Sequence, residues 1–271
     1  MARINNLPGL CFVNLELSSV CNKNCWMCGR RKVDRDFPEI ATHYGFIDYN
    51  LVKKISKQLS PNIVVAFHWN GEPLLYPLLG RAIELFKQQI KVLDTNGKLL
   101  VEQMHNIIGK LDTITISIIE RDSETDEQYK VVSEFLSKKG TEKPYVIFRY
   151  LGVVDAVRWG FLAARYNCLE VNRTLHNPMG SFDYKKKVII PEIGICLEML
   201  SHIAIDRFGN VSPCVRFDPE KKFVIGNLND NTLSEIWNGD KRQKLLELHK
   251  LGKRKEIEFC NKCSFWGCQV G

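Results

Sequence analysis

The chain has 271 residues, 45% apolar and 25% charged, which is enough for a sizeable core and excludes disorder, collagen-like repeats and coiled coil as its main theme. No apolar run reaches the length of a membrane-crossing helix, and the first nine residues show no apolar signal core, so a cytoplasmic protein without membrane contact is expected. The net charge of +7 is concentrated around 185–187 and 241–255; a solvated helix face and a surface loop explain it, and a nucleic-acid partner is not expected.

From the N-terminus, strand and helix patterns alternate. Residues 11–17 read as a strand. Asp48 caps a helix carrying Leu51, Val52, Ile55 and Leu59 at helical spacing. Strands follow at 63–69, 91–95, 113–118, 145–150 and 169–172, with helices expected at 76–89, 98–109, 124–139 and 155–166. Six such units imply a parallel sheet with right-handed crossovers. They are too few for a closed eight-fold barrel, so the expected fold is α/β: a partial (β/α)6 barrel, with a Rossmann or flavodoxin-like sheet as the alternative. The rhythm breaks near Asn177. The expected division is 1–176 for the barrel and 177–271 for a connector and a small C-terminal subdomain. That second part contains a hairpin over 202–214 and a helix capped by Asn231 or Thr232 that runs to about 249.

Ten cysteines are the compositional outlier. In a reducing compartment they read as metal or cluster ligands rather than disulfides. Cys11 and Cys168 stand alone in apolar stretches and read as buried structural thiols. The other eight form two groups. Cys21, Cys25 and Cys28 lie within eight residues just after the first strand. Three thiolates can occupy three corners of a [4Fe–4S] cubane, leaving one iron open to a small chelating molecule. A zinc site completed from elsewhere is the competing reading. The second group is Cys196, Cys214, Cys260, Cys263 and Cys268.

The CxxxCxxC spacing after the first strand of a six-unit βα chain resembles the radical S-adenosylmethionine (radical SAM) superfamily. The resemblance implies that the open iron binds SAM and that reductive cleavage yields a 5′-deoxyadenosyl radical that abstracts hydrogen from substrate. Met27 then lies near the adenine. Asn70-Gly71-Glu72-Pro73 resembles the family's GGEP motif, with Asn for the first Gly, and Glu72 is expected to accept charge-assisted hydrogen bonds from the methionyl ammonium. Thr95-Asn96-Gly97 resembles the TNG turn. Ser117 and Arg149 stand where ribose and carboxylate contacts are often placed.

The C-terminal group resembles the SPASM/twitch class. Cys196, Gly209 and Cys214 keep its spacing, a Gly226-Asn-Leu turn leads to Leu233-x-x-Ile-Trp237, and Cys260-x-x-Cys263 closes the set. The tail is short for a full SPASM domain, so the twitch form with one auxiliary cluster is expected, giving two [4Fe–4S] clusters in all. Four thiolates saturate that cluster, so it exchanges electrons instead of binding substrate; a zinc ribbon is the competing reading. The implied activity is an oxidoreductase acting on an alcohol of a small polar, sugar- or cyclitol-like molecule, with a flavodoxin or ferredoxin as electron donor. The alternatives are a peptide maturase or epimerase, with Cys268 returning a hydrogen atom to the substrate radical, and a non-enzymatic iron–sulfur or zinc protein. With Cys21 only twenty residues from the start, the sequence leaves little room for a peptide-recognition module, which favours a small substrate.

Overall fold

A computed structural model describes residues 7–173, 175, 195–216, 218–261 and 263. The expected division at 176/177 and Cys268 lie outside the described residues. In chain order the described elements are β1 (Phe12–Leu15), α1 (Arg30–Asp36), α2 (Pro38–Ala41), α3 (Tyr49–Ser56), β2 (Val64–Ala66), α4 (Leu79–Ile83), β3 (Ile90–Thr95), α5 (Met104–Ile107), β4 (Thr113–Ile119), α6 (Thr125–Lys139), β5 (Tyr145–Leu151), α7 (Ala156–Tyr166) and β6 (Leu169–Arg173). The C-terminal part adds α8 (Leu197–Ser201), β7 (His202–Ile205), β8 (Asn210–Ser212), β9 (Gly226–Asn227), α9 (Leu233–Asn238), α10 (Asp240–Lys250) and α11 (Glu258–Asn261). No described helix is long and apolar enough to cross a membrane.

The described strands form one sheet in the order β6-β5-β4-β3-β2-β1-β7-β8-β9. Pairing from β6 to β7 is parallel, and β8 and β9 add antiparallel strands. The sheet stays open, so the architecture is the expected α/β partial barrel rather than a closed one. The C-terminal hairpin does not stand apart, because β7 pairs in parallel with β1, Phe12 opposite His202 and Asn14 opposite Ala204. The core lies between the sheet and its helices. Val13, Leu15, Val65, Phe67, Leu93, Ile114, Ile116 and Phe148 are fully buried. Trp159 of α7 meets Phe148 edge-on, with ring centroids 5.4 Å apart.

Three helix expectations shorten, each for a local reason. In 76–89 only Leu79–Ile83 is α-helical. Pro77 stands just before it, and Gly80 lets α4 approach α5 so closely that a Cβ there would lie 2.2 Å from Asn106 Oδ1. In 98–109 only Met104–Ile107 is α-helical, between positive-φ Gly97 and Gly109. The helix after Thr232 breaks at Gly239, which takes an extended conformation (φ −72°, ψ 156°), and this separates α9 from α10. Thr232 is the cap, in a full capping box with Glu235. One thiol departs from expectation: Cys11 is exposed, not buried. It directly precedes β1, beyond the cover of the packed strands. Cys168 is half-buried against the core, and burial pushes its thiol up to about 11.

Candidate active site and auxiliary cluster centre

The C-terminal ends of the parallel strands carry the polar residues. After β1 the chain turns at Ser18, whose hydroxyl donates to the Val20 carbonyl and accepts from its N–H. Gly71 packs against this turn; a Cβ there would lie 2.2 Å from the Ser18 carbonyl oxygen and 2.6 Å from that of Val20. The Glu72 N–H donates to Val20 O at 2.8 Å. The motif after β2 is thus laid directly on the loop that begins the cysteine run.

Glu72 is buried, and its carboxylate knots three segments together. Oε1 accepts from Thr95 Oγ1 (2.7 Å) and Leu74 N (3.0 Å), and Oε2 accepts from Asn96 N (2.8 Å). Pro73 opens the short 3₁₀ turn that presents the Leu74 N–H. Burial pushes the Glu72 carboxyl up to about 7, against the lowering effect of these bonds. A carboxylate offers about four acceptor positions, so capacity for one more donor, such as a ligand ammonium, remains. Asn96 donates in turn to Asn22 Oδ1 at 2.8 Å and to Cys21 Sγ at 3.8 Å. Gln128, buried on α6, donates to the backbone carbonyls of Asn96 (2.7 Å) and Ser117 (2.9 Å). Glu72, Thr95, Asn96, Ser117 and Cys21 therefore belong to one connected corner.

The cysteine loop is pinned on its other side. Trp26 Nε1 donates to Glu120 O at 2.8 Å. Lys23 pairs with Asp122, both side chains nearly buried. Cys25, Trp26 and Met27 pack on Ile119, Leu151 and Leu175. Burial raises the Cys21 thiol and pushes Cys25 up to about 12, with neighbouring Cys28 adding to the latter. Such thiols ionise only where positive charge is supplied, which is the condition that the irons of a cluster create. Arg30 lies close enough to Cys21 to favour its thiolate. The Arg30 guanidinium sits over the Tyr44 ring at 4.0 Å, with its buried Nε and Nη1 lacking an acceptor among the described residues. Three neighbouring thiols beside donors without acceptors among the described residues suit a sulfide-rich anionic group.

Arg149 of β5 stands opposite Ser117 of β4 and forms an ion pair with Asp94 of β3. Burial alone would raise the Asp94 carboxyl, but the charges of His68 and Arg149 outweigh it and hold it below its ordinary range. His68, after β2, places Nε2 3.4 Å from Asp94 Oδ2 and 3.1 Å from Asn14 Nδ2. Asn14 Oδ1 accepts from His202 Nε2 at 2.6 Å. This chain of Arg149, Asp94, His68, Asn14 and His202 runs across β5, β3, β1 and β7 and the loop after β2. Sequence reasoning identified only Arg149 of these. Asn14 between Val13 and Leu15, and Asp94 beside Leu93, were the available signal: single polar residues inside buried strands.

Asn70, where the family pattern has Gly, donates from Nδ2 to Glu16 Oε1 at 3.0 Å, and Glu16 Oε2 accepts from Arg207 N at 3.2 Å. These residues line an open cavity between α1 and the loop after β8, together with Arg30, Tyr44, Trp69 and Lys221.

The second cysteine group converges from four separate places. Cys196 precedes α8, Cys214 follows β8, Cys260 lies in α11 and Cys263 just beyond it. All four thiols line one open cavity, with His249, Arg254 and Phe259. Burial raises Cys214 and pushes Cys260 up to about 12. Arg254 Nη1 donates to the carbonyls of Cys260 (2.6 Å) and Cys263 (3.2 Å). All nine described cysteines are free thiols, and among the described residues no three His, Cys, Asp or Glu gather tightly enough for a single metal ion. Thiols spread around a cavity suit the separate irons of a cluster.

Residues 196–264 match the family model of the SPASM iron–sulfur cluster-binding domain. Together with the cysteine loop and the open parallel sheet, this match makes the chain similar to radical SAM enzymes of the SPASM class. It is 26% identical, over 93% of its length and 92% of the relative's, to the S-adenosyl-L-methionine-dependent 2-deoxy-scyllo-inosamine dehydrogenase of Niallia circulans. Its fold is similar to that of BtrN in complex with AdoMet and 2-DOIA, with TM-score 0.65 and 21% identity, covering 94% of this chain and 92% of the other. It is also similar to SuiB of Streptococcus suis bound to S-adenosylmethionine, with TM-score 0.62 and 13% identity, covering 97% and 74%.

Proposed function

We propose that the chain oxidises an alcohol carbon of a small polar, cyclitol- or sugar-like molecule, using S-adenosylmethionine at the first cysteine loop and a second [4Fe–4S] cluster as electron acceptor. The observation that carries this reading is the four-thiol cavity. Cys196, Cys214, Cys260 and Cys263 fill every iron position of a cubane, which leaves electron exchange as its role. When bound, the first cluster and S-adenosylmethionine supply a carbon-centred radical that removes one hydrogen atom from the substrate. The chain's own residues do the rest. Cys21, Cys25 and Cys28 hold the first cluster. Glu72 receives the methionyl ammonium while Thr95 and Asn96 fix its carboxylate, and Met27 and Ser117 lie along the nucleoside. The Asp94–Arg149 pair orients substrate hydroxyls at the strand ends and takes part in moving the hydroxyl proton. Removing hydrogen beside a hydroxyl leaves a radical that becomes a ketone by losing that proton and one electron, so the balance requires an acceptor within reach.

The test is an anaerobic assay of reconstituted protein with a chemical or flavodoxin-type reductant, S-adenosylmethionine, and 2-deoxy-scyllo-inosamine beside a panel of cyclitols. The expected result is one ketone formed per 5′-deoxyadenosine with one member of the panel. Solvent deuterium appearing in an unoxidised product would overturn the dehydrogenase reading.

A further inference from the structure

Among the polar side chains lining the auxiliary cavity, the four-cysteine account leaves His249 unused. His249 lies in the last turn of α10 and is 1% exposed. Its Nδ1 faces the Cys196 N–H at 3.4 Å, which makes Nδ1 the acceptor and places the ring proton on Nε2. That Nε2–H is fully buried and has no partner among the described residues. Buried donors are almost always satisfied, so an orphan signals a missing acceptor. The ring lines the same cavity as Cys196, Cys214, Cys260 and Cys263. The carboxylate in the lining, Glu198, pairs through Oε2 with His202 Nδ1 and does not reach Nε2. Met199, Phe223 and Phe259 are apolar there, and Arg216 and Arg254 bring only donors, Arg254 giving its own to the Cys260 and Cys263 carbonyls.

We propose that His249 Nε2–H donates a hydrogen bond to a sulfur of the auxiliary cluster and raises its reduction potential, making it a better electron acceptor. The inference rests on the reading that the four thiols hold a cluster. The physical ground is that a donor to a cluster sulfur stabilises the reduced, more negative state over the oxidised one. His249 is in this sense a tuning residue: it touches no substrate, and its second nitrogen is tied to the backbone of a ligand residue. The geometry also explains why a histidine serves here. One ring spans from the Cys196 N–H to the sulfur face, accepting at one end and donating at the other.

The experiment uses the full chain with Cys21, Cys25 and Cys28 changed to Ala, so that only the auxiliary cluster remains. In protein labelled with ¹⁵N-histidine, pulsed EPR of the reduced cluster is expected to show one weakly coupled nitrogen and, in D₂O, one exchangeable deuteron. His249→Phe should retain its irons and shift the reduced-to-oxidised ratio at a fixed poise roughly fivefold to tenfold toward oxidised, the factor carried by one net hydrogen bond. His249→Gln, which keeps an N–H, should recover part of the shift. A cluster signal without histidine coupling overturns the proposal even if His249→Phe fails to fold. So does a coupling of the size given by direct Fe–N ligation, or an unchanged ratio in the iron-replete variant. None of these readouts involves ketone formation, so the assay above can fail while this holds, and the reverse.

Discussion

The indole Nε1 of Trp69 donates to the carbonyl of Val215 at 3.0 Å. Trp69 directly precedes the Asn70–Pro73 motif, and Val215 directly follows Cys214, so one hydrogen bond joins the corner around Glu72 to the residue after a cysteine of the second group. Asn70 makes a parallel link through Glu16 to the Arg207 N–H of the turn after β7. Two adjacent residues therefore tie the loop after β2 to the segments around β7 and β8. Lys221 adds to the link by placing its ammonium 5.2 Å from the Trp69 ring centre.

Trp69→Phe keeps an aromatic ring, though a smaller one, and removes the donor; the lost hydrogen bond alone costs about 0.5–1.5 kcal/mol. Both clusters should remain. The electron transfer that follows hydrogen abstraction should suffer instead, so the ratio of 5′-deoxyadenosine to ketone should rise above one. Chromatographic counting of both products checks this; an unchanged ratio would leave Trp69 a packing residue only.

Glu72 should make S-adenosylmethionine binding depend on pH. Its carboxyl titrates near 7 in the folded chain, above the ordinary 4.5. Between these values the folded state holds more proton than the unfolded state, so Glu72 makes the ligand-free protein less stable as pH rises through that window. A ligand ammonium needs the carboxylate, so affinity should rise as pH passes about 7. Glu72→Gln should abolish that rise and weaken binding by about 1.5–3 kcal/mol, as read by calorimetry across pH. A pH-independent wild type would remove Glu72 from the ammonium site.

Gly71→Ala inserts a Cβ 2.2 Å from the Ser18 carbonyl oxygen, where only backbone surrounds it. Overpacking of this kind costs about 1–3 kcal/mol or more, and here it separates the 70–73 motif from the cysteine loop. Thermal unfolding and iron analysis should show lowered stability and loss of the first cluster ahead of the second. An Ala variant with wild-type iron content would show that the loop gives way freely.

The strands were legible because period-two patterns rich in Val and Ile mark them, as in Thr113–Ile119. The short helices were not, because Gly80 and Gly239 act through neighbours invisible in a linear reading: Asn106 for one, the Glu235 carbonyl for the other. The cysteine loop is local and was readable by spacing. The auxiliary set brings together residues from 196 to 263; position along the chain grouped them, and only a family resemblance singled out four of the five as one ligand set. The polar chain from Asn14 to Arg149 joins residues 54 and 55 positions apart, Asn14 with His68 and Asp94 with Arg149, so its members could be seen singly but not as partners. His249 looked like one more polar residue in a strongly charged helix, and only the packing of α10 against α8 reveals it.

The iron count tests the division of labour between the two cysteine groups. Anaerobically reconstituted wild type should bind about eight irons, and the Cys21/Cys25/Cys28→Ala variant about four, without zinc. The same variant should lose S-adenosylmethionine cleavage entirely, because its remaining thiols saturate their own cluster. Stoichiometric zinc at Cys196, Cys214, Cys260 and Cys263 would leave no electron acceptor in the chain, and the dehydrogenase reading would fall with it.

A role for Cys268 would separate quenching of a substrate radical from its oxidation. It lies outside the described residues, five positions beyond Cys263, and four thiols already line the auxiliary cavity. A spare thiol that returned a hydrogen atom would leave carbon at the alcohol level, and hydrogen derived from solvent would enter the product. A thiol that stays out of the reaction leaves the radical to lose a proton and an electron, giving a ketone with no solvent hydrogen at that carbon. The likeness to a dehydrogenase along nearly the whole chain favours the second course. In D₂O the wild type should therefore give undeuterated ketone, and Cys268→Ala should give the same product at a comparable rate. One deuterium in an unoxidised wild-type product, absent from the variant, would make Cys268 the hydrogen donor and the enzyme an epimerase.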